Sequence, residues 1–414
     1  MRTDRYSQHQ PEKKNGKLKI FLVLVILLTA AAAGFAGYSY KTANDSLDIS
    51  FAADPLKVEV GGTYKALDYV NSSVGKVTAS ARYLDADTVG DRKLVFTVSK
   101  SLFGGILHPE KEFTLNYSVI DTVPPLKLWS GSGTVLERGT EFDINNVIGY
   151  GDNADPDPEV KVTGKVNMEE NGRYPLHIAV TDASGNKTEW DMYVDVADSI
   201  PSYSDDYPRT GFSDFMAQHK GKGKAFGIDV STWQGDIDFK AVKEAGCDYV
   251  IIRIGYSDDG KIKIDNRFEQ NYERAKDAGL LRGVYLYSYD NTEEDARASA
   301  QWISEMLADD RPELPIAFDW EDFGRFQTYK MNFATLNCMY DAFETELSDS
   351  GFESMLYSSK NYLEKIWENT DTRPVWLAHY TDKTDYTGPY RFWQASCTGR
   401  IDGIDGDVDM DIMY

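Results

Sequence analysis

The first strong pattern along the chain is an apolar run from Ile20 to Tyr38, broken only by Thr29 and two glycines. At ~1.5 Å per residue a helix of this length crosses the hydrocarbon core of a bilayer. The pattern then changes. From about residue 46 to 198 short alternating runs stand between turn residues, as in Leu94-Val95-Phe96-Thr97-Val98 and Leu176-His177-Ile178-Ala179-Val180. Period-two alternation of this kind predicts strands with one buried face. The stretch divides into two similar parts, 46–120 and 121–198. Pro55-Leu56-Lys57 aligns with Pro125-Leu126-Lys127, and Gly62-Thr63 with Gly139-Thr140. Residues 199–224, rich in Pro, Gly, Ser and Lys, read as a linker.

From residue 225 onward the period alternates between strand and helix. Strands are expected at 225–230, 249–254, 281–287 and 316–320, and helices at 239–245, 268–278, 292–307 and 332–347. Further strands fit 354–357, 375–378, 392–395 and 407–412 with little helix between them. Such alternation predicts an irregular α/β, TIM-like barrel over 225–414. The expected chain is therefore multidomain: a transmembrane helix, two all-β sandwiches and a barrel.

Charge adds direction to this picture. Arg2, Arg5, Lys13, Lys14, Lys17 and Lys19 precede the apolar run, against Asp4 and Glu12. A basic flank of this kind stays cytoplasmic, so residues 1–19 form an inner tail, 20–40 span the cell membrane, and the rest faces outward. The small residues Ala30 to Ala33 leave a cleaved signal peptide, and hence secretion, as the alternative. A net charge of −23 argues against a nucleic-acid partner. Cys247, Cys338 and Cys397 match neither a disulfide framework nor a metal spacing and read as buried thiols. Only His219 and His379 lie in the C-terminal half, so no metal is expected there.

Candidate chemistry lies where the barrel's strands end, because catalytic groups in such barrels line the C-terminal mouth. Asp229 ends the first strand, Asp409 lies on the last, and Asp319 and Glu321 end the fourth. Residues two apart on a strand share a face, so Asp319 and Glu321 point one way and Phe318 and Trp320 the other. Glycoside cleavage needs one carboxylic acid to protonate the leaving oxygen and a second group to stabilise the cationic sugar carbon. Crowded carboxylates raise at least one pKa and so supply the proton donor. The run Asp405, Asp407, Asp409, Asp411 lacks the glycine and terminal Glu of a calcium loop.

A family resemblance sharpens this reading. Gly227-Ile228-Asp229-Val230-Ser231-Thr232-Trp233-Gln234-Gly235 resembles the opening motif of glycoside hydrolase family twenty-five, the Chalaropsis-type lysozymes. Ile251 to Tyr256, Ala278-Gly279-Leu280 with Gly283-Val284-Tyr285, and Leu314 to Glu321 continue it. Trp376 to Tyr380, Trp393-Gln394 and Gly406 to Asp409 complete it in order. The resemblance implies an N-acetylmuramidase, acting on peptidoglycan glycan strands without metal or cofactor. Glu321 would be the general acid and Asp319 the stabiliser of positive charge or of the substrate's acetamido group. Asp229 and Asp409 would complete the acidic floor. Gln234, Tyr256, Tyr287, Tyr380 and Trp393 would bind substrate. Attack by a protein carboxylate and participation of the acetamido group both fit. Tyr256-Ser257-Asp258-Asp259, Ser288-Tyr289-Asp290 and Asp411 depart from the family pattern, Asp411 standing for the usual Asn.

The two sandwiches are similar to bacterial immunoglobulin-like domains, the second through Thr181-Asp182-Ala183-Ser184-Gly185-Asn186. Neither offers a convergent acid pair, so they are expected to be spacers and dispensable for chemistry. The rival from another class is a catalytically silent wall-binding protein, and loss of any of the four acids would have favoured it.

Overall fold

The computed structural model describes residues 15–202, 207–221 and 224–414. Arg2, Arg5, Lys13 and Lys14 of the basic flank lie outside these residues. The chain divides into two units at Asp121.

The first unit opens with a helix, Asn15–Asp45, long and apolar enough to cross a membrane; its most apolar 18-residue window has a mean hydropathy of 2.5. Thr29 does not interrupt it, because its hydroxyl donates back to the carbonyls of Val25 and Ile26. The β part of this unit has a four-stranded sheet, ordered Leu56–Glu59, Glu110–Ile120, Gly90–Ser99, Lys76–Ala79, and a two-stranded one, Asp48–Phe51 with Val70–Val74. Phe96, Val98, Leu115 and Val119 fill its core from alternate positions of the two long strands, as the period-two pattern requires.

The second unit begins with a sandwich of the same layout. Its four-stranded sheet runs Glu159–Thr163, Gly172–Thr181, Lys187–Ala197, Val135–Glu137, and Leu126–Ser130 pairs with Ile148–Gly151. In each sandwich a short strand lies parallel to the last long one: Leu56–Glu59 in the first, Val135–Glu137 in the second. This pairing corrects both alignments. By position in the sheet the strand Leu56–Glu59 matches Val135–Glu137, not Leu126–Ser130, so the shared Pro-Leu-Lys is a local coincidence. The pairing of Gly62-Thr63 with Gly139-Thr140 is one residue out, since by the same register Val58 matches Leu136 and Gly61 matches Gly139.

The rest of the second unit is a closed barrel of eight strands, numbered here from the barrel's first: β1 Ala225–Val230, β2 Tyr249–Asp258, β3 Leu281–Ser288, β4 Ile316–Asp319, β5 Ser354–Ser359, β6 Val375–Ala378, β7 Phe392–Arg400 and β8 Val408–Met413. The first seven run parallel; β8 closes the ring antiparallel to both β7 and β1. Inside, Tyr249, Ile251, Met355, Trp376 and Phe392 pack as one cluster. Outside, Ile228, Val250, Phe318 and Leu377 meet the helices. The stretch expected as a linker folds in part: Phe212–Gln218 is a helix whose Phe212 and Phe215 join that outer core. Of the three cysteines, only Cys247 is buried; Cys397 is exposed.

Candidate active site

Three strands bring the acids together at the mouth. Asp229 and Asp409 are cross-strand partners on β1 and β8, and Asp319 ends β4 beside Tyr287 of β3 and Tyr357 of β5. Glu321 lies just past the end of β4, in the connecting segment rather than on the strand. Phe318 and Trp320 point outward into the core, as alternation predicts. Asp229 and Asp319 are each only 5% exposed, whereas Glu321 opens to solvent.

A hydrogen-bonded network orders the floor. Gln394 of β7, buried, donates from Nε2 to Asp229 Oδ2 at 2.7 Å. Its Oε1 accepts from the hydroxyls of Tyr357 at 2.9 Å and Tyr380 at 3.0 Å. Asp411, wholly buried, accepts from Trp376 Nε1 at 2.7 Å and lies close enough to Asp229 for the two carboxyls to interact. Asp319 Oδ1 is buried without a hydrogen bond among the described residues.

Burial and mutual repulsion govern protonation here. Burial, then the charge of Asp411, pushes Asp229 well above the ordinary carboxyl range. Burial and the Asp229 and Glu321 charges lift Asp409 to about 9, and burial lifts Asp411 to about 8. Asp319 is raised by burial and by Glu321, with Arg253 opposing, and Glu321, though its side chain reaches solvent, is raised by desolvation of its carboxyl among the neighbouring groups. Asp319 and Glu321 are close enough to titrate as a pair, so the first proton bound is held by both and lost with difficulty.

Aromatic rings flank the acids. A recess of about 530 Å³ over β2 and β3 is lined by Trp233, Arg253, Tyr256, Tyr287 and Tyr289. A second, of about 490 Å³ over β5 and β6, includes Glu321, Tyr357, His379 and Tyr380. A larger cavity of about 810 Å³, between residues 236–240 and 401–405, lies apart and none of the acids lines it.

Three of the five expected substrate-binding residues, Tyr256, Tyr287 and Tyr380, line these recesses; two do not. Gln234 is occupied in a capping box, its Oε1 accepting from Ser231 N–H at 2.9 Å. Trp393 alternates to the outer face of β7, where its Nε1 donates to the His379 carbonyl and its ring meets His219 edge-on. Both were named from motif position, which does not tell which face a side chain takes. Trp233, 81% exposed, and Tyr289, Tyr357 and Gln394 were missed. Alternation from Trp393 would have signalled Gln394, whereas Tyr357 follows only from its register beside Asp319. Two of the departures from the family pattern meet in space: Asp290 Oδ2 accepts from Ser257 at 2.8 Å and Ser299 at 2.7 Å, locking the loop that presents Tyr289. Asp407 is held by Arg209 and Arg400.

The family model of glycosyl hydrolases family 25 matches residues 228–404, and that of the Ig-like domain of bacterial surface proteins matches residues 126–196. Residues 228–404 are thus a family 25 glycosyl hydrolase domain, preceded by a bacterial surface Ig-like domain. Lysozyme M1 of Streptomyces globisporus is 29% identical over 44% of this chain and 65% of its own length. The autolytic lysozyme of Clostridium acetobutylicum is 28% identical over 45% of this chain and 54% of its own. The chain therefore spans less than two thirds of either relative. Among solved structures, a bacterial lysozyme from Streptomyces coelicolor is 25% identical, with a TM-score of 0.38 over 46% of this chain and 92% of that one.

Proposed function

We propose that the chain is a muramidase held at the outer face of the cell membrane, cleaving the β-1,4 bond between N-acetylmuramic acid and N-acetylglucosamine in peptidoglycan. The observation that carries this reading is the array of Asp229, Asp319, Glu321 and Asp409 at the mouth of the barrel, flanked by aromatic recesses on both sides. Glycan strands are flat, hydroxyl-rich and long, and rings on either side of the acids suit sugar units on either side of the scissile bond. The lysozymes among the relatives support the same substrate. The first sandwich, with the same sheet layout as the second, is read as another Ig-like domain.

In this mechanism Glu321 gives its proton to the glycosidic oxygen as the bond to the sugar carbon breaks. Asp319, as the anion, stabilises the positive charge on that carbon or orients the neighbouring acetamido group. Water then adds to the sugar carbon and returns a proton to Glu321. Gln394 holds Asp229 in place and ties it to Tyr357 and Tyr380 at the groove wall.

Glu321→Gln tests the assignment. The amide is nearly isosteric but has no proton to give, so peptidoglycan hydrolysis is expected to fall ~10²–10⁴-fold with glycan binding retained. Asp319→Asn is also expected to lose turnover. A substrate with an activated leaving group needs little protonation and separates the two. It should restore Glu321→Gln and leave Asp319→Asn impaired. Equal responses, or full activity of Glu321→Gln on peptidoglycan, would show that Glu321 is not the acid.

A further inference from the structure

The segment that follows Glu321 has little support from the barrel's own regular elements. Strand β4 stops at Asp319 and the next long helix, Phe333–Asp349, starts a dozen residues later, with only the short 3₁₀ helix Phe323–Tyr329 between them. The turn is tied to the acid itself, because Phe323 N–H donates to the Glu321 carbonyl at 2.7 Å. On its inner side lies the ring of Trp320, fully buried between Asp319 and Glu321 in sequence. The rings of Phe323 and Phe326 sit 5.0 and 5.7 Å from it.

The outer side of this segment is covered by the second sandwich. Trp129 Nε1 donates to the Gly324 carbonyl at 2.9 Å, and Gln327 Nε2 donates to the Ile148 carbonyl at 3.3 Å. Farther along, Phe333 N–H donates to the Asp152 carbonyl at 2.8 Å and Asn332 Nδ2 to that of Ala154 at 2.6 Å. Leu128 is buried as a member of the barrel's outer core, and Trp129 packs against that core. The approach is close enough to need glycine: a Cβ on Gly151 would stand 2.7–2.8 Å from the rings of Phe326 and Phe333. A freely hinged spacer would carry few such contacts. This sandwich is built onto the loop that begins at the acid.

We propose that the Ig-like domain braces the active site, with Trp129 as a positioning residue that fixes the segment after Glu321 and so the direction in which the acid delivers its proton. The proposal rests on Glu321 being the general acid. Misplacing a reacting group by about 1 Å costs up to ~100-fold in rate, so a brace on this segment has leverage on kcat.

The test uses the full chain with Trp129→Ala, and Trp129→Phe to keep a ring while removing the donor. On peptidoglycan, Trp129→Ala should lose about tenfold or more in kcat with KM changed less than about threefold, and Trp129→Phe should fall between it and the parent. On a substrate with an activated leaving group the loss should be under about twofold, since the proton matters little there. A merely misfolded fraction would lower both substrates equally, and that result would overturn the brace. Amide hydrogen exchange over residues 321–334 gives a readout independent of catalysis: Trp129→Ala should speed it there while the strands β1 to β8 stay protected. Unchanged exchange would overturn the brace whether or not the parent cleaves peptidoglycan. A parent that cleaves no glycan while exchange rises as expected would instead refute the muramidase reading alone.

Discussion

Asp411 is the residue whose chemistry departs furthest from its motif. It is buried against Asp229, with one oxygen taken by Trp376. Burial lifts its pKa from the ordinary ~3.9 of an unfolded Asp to about 8. A carboxyl raised on folding favours the native state below the unfolded pKa. That contribution is lost as pH rises through the folded one. Stability should therefore decline between about pH 4 and 8. Asp411→Asn keeps an acceptor for Trp376 and offers Asp229 a permanent N–H donor. Its melting temperature should fall less than the parent's between pH 5 and pH 9, and at pH 9 it should exceed the parent's by at least ~2–4 °C, the size of a 1 kcal/mol difference in a domain of this length. Parallel curves for the two proteins would show that Asp411 does not carry the proton. The four acids were legible because strand ends and alternation place them directly. The Asp411–Asp229 pair was not, since it forms only when β8 closes antiparallel on β1.

At the level of the element, the strand pattern was readable and the contacts between elements were not. The runs at 225–230, 316–320 and 375–378 are apolar enough to be buried on both faces, and they form β1, β4 and β6. The repeat alignment through Pro55 and Pro125 failed because three shared residues say nothing about which neighbour a strand pairs with. Register decides that. Motif glycines gain a reason once the strands are paired. Gly227 sits on β1 opposite Tyr249 of β2, whose ring would stand 2.4–2.5 Å from an added Cβ. Tyr249 is fully buried inside the barrel and cannot swing out cheaply. Gly227→Ala should accordingly destabilise the barrel by ~1–3 kcal/mol, the usual cost of overpacking. Chemical denaturation reads this directly, and an unchanged midpoint would mean that the Tyr249 ring yields.

For the whole molecule the open question is how the hydrolase domain is kept near its substrate, and here the N-terminal helix decides. Its apolar face is continuous, it carries no charged residue between Lys19 and Lys41, and its apolar residues are exposed among the described residues. In water such a surface is costly, at roughly 25 cal/mol per Å² of apolar area, and a bilayer removes that cost. Lys17 and Lys19 stand at its N-terminal end, and a basic flank there favours a cytoplasmic N-terminus. The sandwiches and the barrel are then expected outside, within reach of the wall. Protease added to intact protoplasts should digest both β-rich domains and the barrel, and an alkaline wash should leave the undigested chain in the membrane fraction. Protection of those domains would refute the topology. Release of a chain that begins after Ala30 to Ala33 into the medium would instead establish a cleaved signal and a secreted enzyme. The two outcomes differ in the mass of the mature N-terminus, so one peptide map distinguishes them.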